Sequence, residues 1–331
     1  MTKSTLPRRD FLTIAGAAVA ASALPNGARA QGAAAALNFG FQNTSWGTIG
    51  MIAESQDLFK KAGANVKIFK FDSGKTTRDA MIAGRIDIGV IGATPFVIGA
   101  AKGEVEAIAV ALYGAKTLSI VGGLKSGVNS VKDLKGRKVG SQLGSATDFV
   151  FQNKILPKFG LSPSDVQVIN VTFQNHLSAL SAGSIDAFAG VEPFPSVAEV
   201  EKIGKVLVDY SDFDLQPIIL AANKSVIDGK REAVTAFLRG WLSAVKVFHD
   251  HPDQATQVVL KHFKDQGFSV DDKIIKLMLS KIDVNPNYVP ALKAYLDEES
   301  KTLVEQKKIA AVPDWNKLLN RDLLAAAGTK A

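Results

Sequence analysis

The sequence predicts an α/β fold of two similar halves, each a mainly parallel sheet flanked by helices, with a helical C-terminal third. Three observations predict it. Between residues 37 and 210, short apolar runs with strand spacing alternate with segments of helical period. The text Ala83-Gly84-x-Ile86-Asp87 returns as Ala182-Gly183-x-Ile185-Asp186, and Pro95-Phe96 returns as Pro193-Phe194. After residue 230 the strand signal gives way to apolar stripes of helical period.

The first half opens with LNFGFQ, residues 37–42, which alternates as a half-buried strand does and runs into the polar loop NTSWG. Residues 48–63 place Ile49, Ile52, Ala53, Leu58 and Phe59 at helical spacing, with Gly63 as the stop. NVKIFKF, 65–71, reads as a strand, and GKTTRDAMIAG, 74–84, as a short helix closed by Gly84. IDIGVIG, 86–92, is a strand. The helix after it takes Thr94 as N-cap and Pro95 at its first position. AIAVALYG, 107–114, is the next strand.

The order then restarts, with strands at 118–123, 138–141, 165–171, 185–190 and 205–210. Helices open near Ser145, over 175–183 and over 192–203. Strands alternating with helices require sheets covered on both faces. In the last third, 231–250 sets Val234, Phe237, Leu238, Trp241, Leu242, Val245 and Phe248 on one stripe, and 253–263, 270–282 and 289–309 are helical too.

A chain of 331 residues is long for one core and comfortable for two domains. Net charge is +7, but the basic residues are scattered without a run of five, which points away from nucleic acid. Cysteine is absent, which removes disulfides, thiolate metal sites and thiol nucleophiles together. Residues 1–30 read as an export signal: Arg8-Arg9, an Ala-rich apolar segment too short to span a membrane, then Ala28-Arg29-Ala30 as the cleavage site. Arg8-Arg9 followed by Phe11-Leu12 resembles the twin-arginine signal. The remainder is then expected in the periplasm.

Two α/β halves facing each other make a cleft at the carboxyl ends of their strands, where helix N-termini offer free N–H groups. A third feature joins the export signal and the duplicated halves: the helical segment AFLRGWLSAVKVFHDHPDQA, 236–255. Read together with GATP after the first repeat, LKGRKVGSQLGSA in the middle and VEP after the second, the chain resembles the periplasmic substrate-binding proteins of ABC transporters. Within these it resembles the family that takes up nitrate, aliphatic sulfonates, taurine and the thiamine pyrimidine precursor. The resemblance covers nearly all of the chain after residue 30. It implies a type II two-lobe fold, with 36–114 plus 222–331 as one lobe and 115–221 as the other; where the repeat begins and ends places the hinge near Gly114 and Gln216-Pro217. It also implies a small anionic or zwitterionic ligand, sulfonate or taurine-like, an inner-membrane ABC permease as partner, a monomer, and no cofactor. The alternatives are a sensor that serves a membrane receptor, or a binder of nitrate, bicarbonate or a pyrimidine.

Candidate contacts follow from the strand ends. Ser45 and Trp46 end the first strand, Ser45 as a donor to an anion and Trp46 as a cover for an apolar part. Thr94 opens the helix after the first repeated strand. Gly144, Ser145, Ala146 and Thr147 lead into a helix whose N–H groups would cradle an anion. Glu192, the counterpart of Thr94 in the second copy, would ask for an ammonium or N–H donor. Lys75 is a weaker candidate on a neighbouring helix start.

Enzyme readings find little footing. Gly74-Lys75-Thr76 lacks the Gly at position 69 that a phosphate loop needs, because Phe69 stands there. His249 and His251, two apart, fall on different faces and do not form a metal pair. Some relatives with this fold are enzymes, among them a desulfinase that relies on a cysteine, and that chemistry is closed to a chain without one.

Overall fold

The computed structural model describes residues 35–328, so the export signal expected in residues 1–30 lies outside the described residues. Ten strands occupy the described part. They are β1 Ala36–Gln42, β2 Asn65–Phe71, β3 Ile88–Gly92, β4 Val105–Tyr113, β5 Leu118–Gly123, β6 Lys138–Ser141, β7 Gln167–Asn170, β8 Ala187–Val191, β9 Gly204–Asp209 and β10 Pro217–Asn223. They form two five-stranded sheets, ordered β2-β1-β3-β10-β4 and β7-β6-β8-β5-β9.

The two sheets have the same plan. In each, three neighbouring strands run parallel, and a fourth enters antiparallel between the third and the edge: β10 in the first sheet, β5 in the second. The sheets are therefore mixed. Strand β10 is the element the periodicity does not isolate: PIILAA, 217–222, is a short apolar run whose helix or strand character only its neighbours decide. It runs across the expected boundary at 221/222, and its backbone groups find partners on β3 and β4.

The repeated text does the same physical work twice. Gly84 and Gly183 both take φ +67°, the left-handed backbone that ends a helix at a glycine. Asp87 accepts the Asn38 N–H at 2.7 Å and returns its own N–H to the Asn38 carbonyl at 2.8 Å. Asp186 does likewise with Lys138, at 2.8 and 2.7 Å. Each Asp thus clamps the start of the neighbouring strand, and each Ile before it is buried.

The helix expected over 48–63 is split into Thr48–Ser55 and Leu58–Lys61, with Asp57 at φ +54° between them. Helix Arg231–Asp250 lays its stripe on the first sheet. There Phe237 stacks on Phe59 at 4.5 Å, while Phe39 meets Phe237 and Trp241 edge-on. Helices Pro252–Asp265, Asp272–Ser280 and Ala291–Glu305 continue the last third. Among the described residues no helix is long and apolar enough to cross a membrane.

Candidate functional site

The carboxyl ends of β1 and β3 meet the elements that follow β6 and β8. The Ser45 N–H donates to the Glu192 carbonyl at 3.0 Å, and Trp46 Nε1 donates to Thr117 Oγ1 at 2.9 Å. The two connecting segments lie side by side, with the Gly114 N–H donating to the Gln216 carbonyl at 3.0 Å. At the end of β3, Gly92 is the point of closest approach. A Cβ added there would lie 2.6 Å from Ala146 Cβ, 3.4 Å from Trp46 Cζ3 and 3.7 Å from Gln216 Nε2. Only glycine fits this contact.

Buried polar atoms without partners gather on the residues of this junction. They are Ser45 Oγ, Thr147 Oγ1 and both amide atoms of Gln216. Tyr210, on the segment leading to Gln216, also buries an unpartnered hydroxyl. Leaving a buried hydroxyl or amide unsatisfied costs about 1–3 kcal/mol, so such a group asks for an occupant. Burial pushes the Tyr210 hydroxyl far above its usual range, and the carboxylates of Asp148 and Asp214 add to this, so it stays a neutral donor.

The loop before Thr147 is shaped by Asp148. Its carboxylate accepts from Ser141 Oγ at 2.9 Å, from the Gly144 N–H at 3.0 Å and from Gln152 Nε2 at 2.7 Å. Gly144 takes φ +79°, and Ser145 caps the helix Ala146–Val150 by accepting the Asp148 N–H at 3.1 Å. Beside this loop lies a hollow of about 520 Å³, lined by Lys75, Thr94 and Gln306 as well as by Gly144, Ser145 and Asn153.

Besides Trp46 and Ser145, whose bonds are given above, Lys75 pairs with Asp79 at 3.0 Å, and Thr94 and Glu192 have partners too. Thr94 is not the N-cap: the helix Ala93–Ala101 is capped at Gly92, and the Thr94 hydroxyl donates to Glu299. Glu192 is fully buried; its carboxylate accepts from Ser196 Oγ at 2.9 Å and holds Lys281. Ser45, Trp46, Ala146 and Thr147 all sit buried at the junction, while Gly144 and Ser145 line the hollow.

Sequence reasoning missed Tyr210, Gly92 and Glu299, and it took Gln216 only as a hinge position. Gln216 stands at φ +43°, with its N–H held by Asp214 at 2.6 Å, and the one hint of it was its place before Pro217. Glu299 lies in the charged text DEESK, which reads as a solvated helix face. It is buried instead, and burial pushes its carboxyl up to about 7; the Thr94 hydrogen bond opposes that rise and the Asp214 carboxylate adds to it. Among the described residues no group of three or more His, Asp or Glu stands where it would hold a metal ion.

A model of the NMT1-like family matches residues 30–261. A Bacillus subtilis (strain 168) protein named for binding aliphatic sulfonates is 29% identical over 261 residues, 77% of each chain. The taurine-binding periplasmic protein of Escherichia coli (strain K12) is 26% identical over 211 residues, 61% of this chain and 63% of that one. The fold matches the crystal structure of the periplasmic aliphatic sulphonate binding protein SsuA from Escherichia coli. Their TM-score is 0.72 at 22% identity, over 88% of this chain and 99% of that one.

Proposed function

We propose that this chain, which belongs to the NMT1-like family, is the periplasmic solute-binding component of an ABC importer and captures a small organic anion, an alkanesulfonate or a taurine-like zwitterion. The observation that carries the reading is the set of unpartnered buried groups on Ser45, Thr147 and Gln216, set around the Gly92–Ala146 contact. A sulfonate has three acceptor oxygens, which is what hydroxyl and amide donors require. The names of the relatives support the ligand class, and the family's setting supports the permease partner.

In this reading the signal in residues 1–30 directs export. The two sheets belong to two lobes that hinge at Gly114 and Gln216-Pro217 and close on the solute. Ser45, Thr147 and Gln216 donate, Trp46 and Ala146 supply apolar wall, and the loop Gly144-Ser145 receives part of the anion. Thr94 lines the anion end, where its hydroxyl hydrogen is free for the solute only when Glu299 does not take it. Glu192 takes an ammonium only by giving up Lys281, so a simple alkanesulfonate is favoured over taurine.

Calorimetric titration with ethanesulfonate, taurine, nitrate, bicarbonate and a pyrimidine tests this. Ethanesulfonate is expected to bind most tightly and, at a hundredfold excess over Kd, to add about 2.7 kcal/mol of stability. Binding of nitrate with none of either sulfonate overturns the ligand class. Turnover of a bound solute overturns the binding-protein reading itself.

A further inference from the structure

Behind Thr94 stands a buried acid that the ligand contacts above do not use. Glu299, on helix Ala291–Glu305, is 1% exposed. One of its oxygens accepts from the Thr94 hydroxyl, and the other has no hydrogen-bond partner. Thr94 itself lines the hollow beside Gly144 and Ser145. A threonine hydroxyl carries one hydrogen and two lone pairs. While Glu299 is ionised, that hydrogen is committed to the carboxylate, and Thr94 presents only lone pairs to the hollow. Once Glu299 is protonated, its own O–H donates to Thr94 Oγ1, and the threonine hydrogen is free to turn toward a solute.

We propose that Glu299 is a specificity-determining residue that acts through Thr94, so that capture of an anion beside Thr94 takes up one proton. The inference rests on the solute-binding reading above. The switch swaps donor for acceptor along one hydrogen bond and leaves every heavy atom in place. It favours anions at low pH and disfavours them at high pH, when a fixed negative charge and a lone pair face them instead.

The surrounding charges fit a carboxyl that changes state near neutrality. On its own helix, Tyr295 donates to Asp214 at 2.9 Å, its hydroxyl also acts on the Glu299 carboxyl and opposes that carboxyl's rise, and Glu298 directly precedes Glu299. Lys154, from the helical segment Phe151–Ile155, sits 2.8 Å from Asp214 and 3.9 Å from Glu298, and its positive charge opposes the rise of the Glu299 carboxyl. Lys75, Arg78, Asp148 and Lys308 line the hollow on its other sides. Burial, with the Asp214 carboxylate adding to it, holds the Glu299 carboxyl at about 7. An anion arriving beside Thr94 pushes it higher, and that further rise is the proton uptake.

The test is isothermal titration with ethanesulfonate from pH 6 to 9, in two buffers of different ionisation enthalpy. Uptake approaching one proton is expected above pH 7, with affinity falling up to about tenfold per pH unit there. Glu299→Gln, whose amide donates to Thr94 at every pH, is expected to lose the uptake and hold the low-pH affinity throughout. In parallel, the carboxyl C=O infrared band of the unliganded protein should fade around pH 7 and be missing from the E299Q variant. Tight binding with no proton uptake, or uptake that survives in E299Q, overturns the coupling and leaves the sulfonate reading standing. Failure of ethanesulfonate to bind at any pH ends the sulfonate reading, and the coupling falls with it. The buffer comparison needs only the unmodified protein, so absence of proton uptake overturns the coupling even if E299Q fails to fold.

Discussion

The two copies of the repeated segment behave identically up to the end of a strand and differently just after it. Through Gly84 and Gly183, then Asp87 and Asp186, the same residues cap a helix and clamp a neighbouring strand with the same hydrogen bonds. Past β3 and β8 the copies part. The first ends at Gly92, pressed against Ala146, and sends the Thr94 hydroxyl to Glu299. The second ends at Glu192, which binds Lys281 and Ser196 and receives the Ser45 N–H on its carbonyl. Duplication preserved what builds a sheet and left free what faces the junction, because the clamp is local while the strand end meets whatever the opposite sheet presents.

The largest expected effect breaks the second copy at that end. Glu192→Ala removes the acceptor of Lys281, whose side chain is 24% exposed, and should cost about 3 kcal/mol of stability in urea unfolding. A loss below half of that would mean water satisfies Lys281 easily. Gly92→Val attacks the first copy. Its Cβ would meet Ala146 at 2.6 Å, so overpacking of roughly 1–3 kcal/mol should appear as weaker ethanesulfonate binding, about 5- to 150-fold. Unchanged affinity there would show that the junction opens without penalty.

The clamps offer a matched pair. Asp87→Asn and Asp186→Asn each weaken a charge-assisted hydrogen bond. The former should cost more, about 2 against about 1 kcal/mol, because Asp87 is the more buried, at 14% against 28% exposed. Equal or reversed losses would argue that the two clamps are not the same device.

At neutral pH the smallest effect belongs to His176. Burial holds its imidazole down to about 3, below the usual 6.5 of a histidine, so the unfolded chain binds this proton more readily than the folded one. Stability should therefore be intact above about pH 6.5 and fall as pH drops toward 3, by up to about 1.4 kcal/mol per unit. In thermal melts at pH 5, His176→Phe should lose less stability relative to neutral pH than the unmodified protein does. Parallel pH profiles would remove His176 from the account.

Much of the scaffold was legible in the text. Strands β2, β5 and β6 and helix Arg231–Asp250 lie where periodicity places them, because alternation and 3.6-residue spacing are properties of a single segment. The duplicated Asp and Gly were visible as a repeat, although not as a clamp. Strand β10 was not legible, since its short apolar run, Pro217 to Ala222, becomes a strand only between two others. Ser45, Trp46, Ala146 and Thr147, read from the sequence as strand-end loops, lie buried where the strand ends meet. The burial of Gln216, read only as a hinge position, and of Glu299 was hidden, because no local pattern announces it.

By itself, then, the sequence determined the kind of elements, their order and their duplication, because backbone propensity and amphipathic period act over a few residues. Tertiary structure alone decided which strand ends meet, why Gly92 must lack a side chain, and that a glutamate in a charged run is buried behind Thr94. Those outcomes depend on contacts between residues as far apart as Thr94 and Glu299, where burial and the partner across the gap set what each group does.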